Sequence, residues 1–431
     1  MSKTNQVRIQ AEEWYAVFLS FIYYFCVLAA YYVIRPIRDQ MAVEVGSTEL
    51  PVFFTATFLA TLVLTPLFGW LVSCWPRRVI MPLIYLFFIA LQMVFILLFL
   101  NKNLLSPKVL GIFFYVWVSI FNLFVVSVFW SFMTDIWSDP QARRLFPIIG
   151  LGGTLGAVMG PIITRSLVEF IGLALLLAVS AAFLAIAVIC IMLLGKWAHD
   201  HGAHRNELGS ESAIGGGMLD GLKQIFSNPF IASMSLMMLL NDAIGTIAYV
   251  LITDYSGTTF PNDVIAQTRF AANMDLFANI IQIFVQLILT RWLLVRYGAN
   301  VVFIVWTVTI VFFCLTMTLV NDPYVPVLGT LPWLAMVSIV DRSLSFGMIQ
   351  PARESLYTLV SRNLRYKGKN VVDTMVWRAG DVVSMTSVNG FRALGINVAG
   401  FGIIWALLAA SSGLIGWRLA NRIEKSAFIK K

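Results

Sequence analysis

Charge is scarce in this chain of 431 residues. Only 12% of its residues are Asp, Glu, Lys or Arg, against 59% from the set AVILMFWYC, and a soluble domain carries about twice that charged share. A soluble globular protein is excluded. Histidine is nearly absent, and His199, His201 and His204 share one polar stretch. A histidine proton relay among the apolar segments is therefore excluded, and a solvated loop is expected there in place of a metal site. The four cysteines, Cys26, Cys74, Cys190 and Cys314, stand apart with no C-x-x-C spacing, which points to neither a disulfide framework nor zinc. No H-E-x-x-H, G-x-S-x-G or phosphate-binding glycine loop occurs, and the polar stretches are too short for a catalytic domain. Neither an enzyme nor a bound cofactor or metal is expected.

Long apolar runs are what the sequence has in excess. About 20 apolar residues cross a bilayer as a helix, and twelve segments qualify: 14–34, 51–72, 80–100, 109–133, 146–163 and 173–194, then 229–251, 270–289, 301–320, 328–346, 371–393 and 398–419. The first lacks an A-x-A cleavage site and is read as a span, not a secretory signal. The longest polar stretch separates the two sets and contains Gly215, Gly216 and Gly217. The expected architecture is an all-α integral membrane protein of twelve transmembrane helices in two six-helix repeats. Residues 1–195 form the first bundle, 196–227 a cytoplasmic linker and 228–431 the second bundle. With both termini inside, twenty-one of the thirty Lys and Arg residues fall on the cytoplasmic side and seven on the other, as the positive-inside rule requires. The net charge of +8 then reports cytoplasmic loops, and no nucleic-acid partner is implied.

Ionisable groups inside a span cost at least about 2.5–3.5 kcal/mol each and tend to face a cavity or a partner. Asp242, Asp275, Asp341, Arg342, Arg378 and Asp381 qualify, all in the second half. Arg378 and Asp381 are three apart and share a helix face, whereas Asp341 and Arg342 diverge by about 100° and need partners on other helices. Two readings stay open: substrate or coupling roles, or a structural network that locks the helices. Asp242 and Asp275 are the candidates for proton coupling. At the end of the first span, Arg35-Pro36-Ile37-Arg38-Asp39 places two arginines on one side of a turn. They form either a clamp for phosphate or carboxylate or a pair of side chains reaching to the headgroups. Tyr23, Tyr24, Tyr31, Tyr32, Trp117 and Trp130 are available to stack on a planar solute, and equally to sit at membrane interfaces.

The loop Gly69-Trp-Leu71-Val-Ser73-Cys-Trp-Pro76-Arg77-Arg78 resembles the G-x-L-x-D-x-x-G-[RK]-[RK] loop of the major facilitator superfamily, departing at Ser73 and Pro76. Leu293 to Gly298 looks like its degraded copy, as parallel repeats would give. Gly156-Ala-Val-Met-Gly160-Pro161 is similar to the G-x-x-x-G-P motif of that superfamily's antiporters, whose physical content is a bendable, tightly packed helix. Three further stretches, Tyr32-Val-Ile-Arg35-Pro-Ile-Arg38-Asp39, Val126-Ser-Val-Phe-Trp130 and Arg143-Arg-Leu-Phe-Pro147-Ile-Ile-Gly-Leu-Gly152, resemble the ATP/ADP antiporter family within it. So does Tyr366-Lys-Gly-Lys369-Asn-Val-Val-Asp373. The family's exchangers carry a functional lysine where Arg38 stands, functional glutamates where Val118 and Tyr249 stand, and a lysine near Asp381. These departures set nucleotide specificity apart from the shared fold. A bacterial branch with R-P-x-R-D and D-T-x-x-x-R-x-G-D is matched by Arg35, Arg38, Asp39, Asp373, Arg378, Gly380 and Asp381.

The resulting expectation is a secondary active transporter in a bacterial inner membrane, a monomer in the lipid bilayer, moving a small anionic organic solute, with nucleotides among the candidates. Arg35, Arg38, Arg342 and Arg378 would bind the solute, and Asp242, Asp275, Asp341, Asp381, Asp373 and Lys369 would couple or gate. Proton-coupled transport of another metabolite or drug, or lipid flipping, are the alternatives.

Overall fold

The computed structural model describes residues 12–74, 77–101, 104–137, 139–200, 226–320, 324–325, 331–360 and 372–429. Lys369, His201, His204, Gly215 to Gly217, and Trp75 and Pro76 of the loop motif lie outside them. Twelve helices are present among the described residues. In the first half these are α1 Trp14–Val45, α2 Leu50–Cys74, α3 Arg77–Leu100 and α4 Pro107–Ile136. A continuous stretch Asp139–Asp200 follows, broken at Gly172 (φ 71°) into α5 and α6. In the second half are α7 Pro229–Thr259, α8 Val264–Tyr297, α9 Ala299–Leu319, α10 from Trp333 to Thr358, α11 from Val372 to Ala393, and α12 Val398–Ile429. Helix α8 passes through a π-turn at Val285–Thr290, α10 through another at Ser345–Ile349, and α11 opens on a third at Val372–Val376.

Nine helical stretches among the described residues are long and apolar enough to cross a membrane, and one of them is the double stretch broken at Gly172. Helices α10 and α11 fall outside this set because they carry the charges, Asp341, Arg342 and Arg353 on one and Asp373, Arg378 and Asp381 on the other. Large apolar side chains such as Phe18, Phe87, Phe113, Phe312 and Leu407 are more than half exposed. In water so much exposed apolar surface would drive association; against lipid chains it costs nothing.

Two expected boundaries change. Helix α1 does not end at Ile34 but runs on through Pro36 to Val45, so Arg35 to Asp39 are helical residues, not an outer turn. Proline removes a backbone donor and pushes on the preceding turn. Thr164 of α5 donates its hydroxyl to the Val33 carbonyl at 2.8 Å, which satisfies an acceptor beside the lesion. Helix α10 likewise does not end near Phe346 but continues past its π-turn to Thr358. Arg353, expected in a solvated cytoplasmic loop, is consequently 2% exposed.

The chain divides into two compact units, and each helical half contributes a short piece to the other's unit. The first comprises 1–45, 59–211 and 260–276; the second comprises 46–58, 212–259 and 277–431. In the first, α5 lies along α1 on a row of glycines. A Cβ at Gly156 would lie 2.9 Å from Ala29 N and nearer still to the Phe25 carbonyl, and one at Gly160 would lie 2.9 Å from the Tyr32 backbone carbon. Only a missing side chain allows this approach. Buried polar groups find partners: the Tyr23 hydroxyl donates to Tyr85 at 2.8 Å, and Tyr85 donates to the Val125 carbonyl at 2.8 Å. In the second unit, α12 meets α9 through Gly402, Gly413 and Gly416, and Gly380 of α11 sits against Leu239 and Asp242 of α7.

Candidate functional site

Ion pairs recur in both units among the described residues, and the first is built on α1. The Arg35 guanidinium faces Asp275 of α8 at 3.4 Å and lies 5.6 Å from the Tyr32 ring centroid. The ion pair is longer than the usual 2.7–3.2 Å N–H···O range, and the buried Arg35 Nε meets no acceptor among the described residues. Five donors on a planar fork are thus poorly used. Further along α1, the Gln40 amide donates to Gln267 of α8 at 3.3 Å.

Arg38 behaves differently from Arg35. It donates to Asp39 through Nε at 3.0 Å and Nη2 at 2.7 Å and stacks 4.9 Å from the Tyr115 centroid on α4. Spacing by three places both on one side of the helix; Arg35 turns to Asp275 of α8, and Arg38 to its neighbour Asp39 and the Tyr115 ring of α4.

The second unit gathers the acidic residues. Asp242 of α7 faces Asp381, Arg378 and the Trp377 indole of α11, and Arg378 pairs with Asp381 at 3.4 Å, as their spacing predicts. Gly380 sets the distance: a Cβ there would lie 3.1 Å from Asp242 Oδ2 and 2.7 Å from Leu239 Cδ2. Asp341 of α10 is 3% exposed and meets Ser345, one turn along the same helix, and Cys314 of α9. Ser345 lies on Asp341's own helix, and Cys314 is its neighbour on another. Arg342 is half-buried in the last turn before the π-turn.

Two further clusters were not visible in the sequence. Buried Arg353 donates to Asp373 of α11 at 2.7 Å and to Glu354 at 3.0 Å, tying the end of α10 to the start of α11. Asp373, a motif residue, thus has its partner, and the signal for it was the apolar Leu356 and Tyr357 following Arg353 at helical spacing. At the other end of α11, Arg392 pairs with Asp254 of α7 and donates to Ser47 Oγ at 2.8 Å, and Asn389 donates to the Thr48 carbonyl at 3.0 Å. The aromatics proposed for stacking largely hold one another. Tyr24 stacks on Phe129 at 4.1 Å, Trp130 meets Phe129 and Phe146 edge-on, and Trp117 packs between Phe95 and Phe121.

Helices with apolar exposed flanks, each unit carrying ion pairs buried inside it, define a polytopic membrane protein. A family model for the Major Facilitator Superfamily matches residues 18–371, and the chain belongs to that superfamily. Among curated relatives, ADP,ATP carrier protein 1 of the chloroplast of Arabidopsis thaliana is 24% identical over 353 residues, which is 72% of this chain and 55% of that protein. The chain thus spans about half the length of the curated relatives it matches. Among solved structures, a point mutant of the nucleoside transporter NupG superposes with a TM-score of 0.67 at 17% identity, covering 94% of this chain and 98% of that one. A D-xylose-proton symporter superposes with a TM-score of 0.63 at 11% identity, covering 94% and 97%. The protein is a multi-pass membrane transporter with the superfamily fold, not an enzyme.

Proposed function

We propose that this chain is a secondary active transporter that moves an anionic organic solute by alternating access between the bundles 1–195 and 228–431, joined by the 196–227 linker. The observation that carries the reading is Arg35, a guanidinium inside an apolar helix whose Nε has no acceptor among the described residues and whose contact with Asp275 is long. Such a fork gains most from a carboxylate or phosphate that accepts two of its hydrogen bonds. Arg38, Arg342 and Arg378 complete the anion-attracting set, and Asp242, Asp275, Asp341, Asp381, Asp373 and Lys369 couple or gate. The distant likeness to the chloroplast ADP,ATP carriers supports a solute of nucleotide type. The excess of Lys and Arg in the loops assigned to one side supports a bacterial inner membrane with both termini in the cytoplasm.

Pairing argues for a modest ligand charge. Arg35 faces Asp275, Arg38 holds Asp39 and Arg378 meets Asp381, so each of these arginines already has a carboxylate beside it. A triphosphate brings about four negative charges, and like-charge contacts at low dielectric cost several kcal/mol. The solute preferred is a mono- or dianion. Liposomes containing the purified protein and loaded with ADP test this. Labelled ATP should enter weakly or not at all, and a panel of labelled mono- and dianions should include one that enters faster and competes. Robust ATP/ADP exchange at neutral pH would overturn the charge argument.

A further inference from the structure

Helix α1 is packed over most of its circumference, and one strip of it is left partly open. From Leu19 to Val43 every side chain of the helix is buried or half-buried, whereas on the lipid-facing flanks Phe87 and Phe113 are more than half exposed. Tyr24, Leu28, Tyr32 and Arg35 are half-buried and follow one another at four, four and three residues, a spacing that keeps them within about 80° round the helix. The strip is therefore a sheltered groove of the first unit, not a flank turned to lipid.

The rings along it are fixed in place by their neighbours. Tyr24 stacks on Phe129 of α4 at 4.1 Å, and half-buried Trp130 stands 5.3 Å from it at 68° with its indole N–H reaching the Tyr24 hydroxyl. Tyr32 meets Tyr31 edge-on at 5.0 Å, a contact that holds a ring without covering its faces. Glycines of α5 make the room. A Cβ at Gly153 would lie 2.8 Å from Cζ of the Tyr24 ring, and one at Gly160 would lie 2.5 Å from the Tyr32 Cβ.

Charge reaches the groove at one end. No Asp, Glu, Lys or Arg occurs in 14–34 of α1, 109–134 of α4 or 145–164 of α5. Arg35 stands over the Tyr32 ring at 5.6 Å and faces Asp275 at 3.4 Å, and its Nε has no acceptor among the described residues. The other cations of this unit near that end are committed: Arg38 donates twice to Asp39, and Arg269 pairs with Glu169. The groove therefore has room for one anionic group at Arg35 and, beside it, a wall of rings and aliphatic chain. A second negative group would lie against that wall without a counter-charge, at the cost of a buried unpaired ion.

We propose that Tyr24, Leu28, Tyr32 and Trp130 bind the body of the solute, and that the solute is an amphipathic organic monoanion with an aromatic ring system, its anionic group accepting from Arg35. The proposal rests on the transporter reading above and narrows it to one charge and a planar apolar body; binding itself can be measured without transport.

The experiment is thermal unfolding of the full-length protein in detergent at neutral pH and fixed ionic strength, titrated with acetate, benzoate, naphthoate, the dianion naphthalenedicarboxylate and the neutral naphthamide. Naphthoate should raise the midpoint at about tenfold lower concentration than benzoate, because the added ring takes more apolar surface out of water. Acetate, the dicarboxylate and the amide should each need at least about tenfold more than naphthoate. Tyr32→Ala, which keeps the Cβ seated on Gly160, should lose most of the advantage of naphthoate over acetate. Arg35→Gln combined with Asp275→Asn, which strands no charge, should lose the preference for naphthoate over naphthamide. Should that double variant fail to fold, the Tyr32→Ala contrast carries the test alone. No response to any probe, equal responses to acetate and naphthoate, or a stronger response to the dicarboxylate or the amide overturns the assignment. So does a naphthoate shift of the same size in the natural chain and the variants, which is partition into the micelle. Labelled naphthalenesulfonate, which keeps its charge, then reports transport in proteoliposomes against protein-free liposomes. Binding without uptake counts against the transporter reading and leaves the groove standing; uptake of another anion with no naphthoate binding overturns the groove and leaves the transporter reading standing.

Discussion

Replacing Arg35 by glutamine should damage the protein more than replacing its partner Asp275 by asparagine, and replacing both should recover most of the loss. The charges are 3.4 Å apart, which at an effective dielectric of 20 corresponds to about 5 kcal/mol of attraction. The two side chains differ in what each can do alone. Asp275 is 2% exposed and Arg35 17%, so a carboxylate left without the guanidinium has no route to water. Breaking a buried pair in that sense costs about 3–5 kcal/mol. A guanidinium left without the carboxylate keeps partial hydration and the face of Tyr32 at 5.6 Å, the latter contributing about 0.5–2 kcal/mol. Its loss should therefore be smaller, roughly 1–3 kcal/mol by the same reasoning. In Arg35→Gln with Asp275→Asn the two amides can hydrogen-bond, no charge is stranded, and the coupling free energy should exceed about 2 kcal/mol. Unfolding midpoints of the four proteins in one detergent, closed as a double-mutant cycle, measure all of these. Equal damage from the two single changes, or strict additivity in the double variant, would refute the assignment of a buried, energetically significant pair.

Gly156→Leu should destabilise the first unit by about 1–3 kcal/mol or more through overpacking, because a Cβ there already meets the α1 backbone; a lower unfolding midpoint checks it. Arg353→Ala should cost roughly 2–3 kcal/mol by leaving Asp373 without its charge-assisted bond, with Arg353→Lys between the two because it keeps the charge and loses the fork. The same unfolding measurement ranks the three proteins. Arg38→Ala should reduce uptake of the transported solute to background while membrane insertion stays normal, as read by liposome uptake beside a fractionation of expressing cells. Unchanged uptake would remove Arg38 from the site.

The sequence by itself determined that the chain is an all-helical membrane protein, because an apolar run of the right length has essentially one low-energy solution in lipid: every backbone group must be bonded within its own helix. It also marked where the expensive charges lie and that Arg378 and Asp381 share a face, since helical periodicity alone decides which neighbours meet. Its errors were at helix ends. Pro36 and the polar run after Phe346 read as breaks, whereas Thr164 supports the backbone beside the proline and a π-turn carries α10 onward to bury Arg353. Which charge answers which was decided only by the tertiary structure. Arg35 and Arg38 share a side of α1, yet they separate because Asp275 is delivered from α8 and Tyr115 from α4. Asp341 appears in the sequence as one of several equivalent acids; only packing shows that, among the described residues, no basic side chain reaches it. Periodicity says which face a residue occupies, and the fold alone says what stands opposite that face.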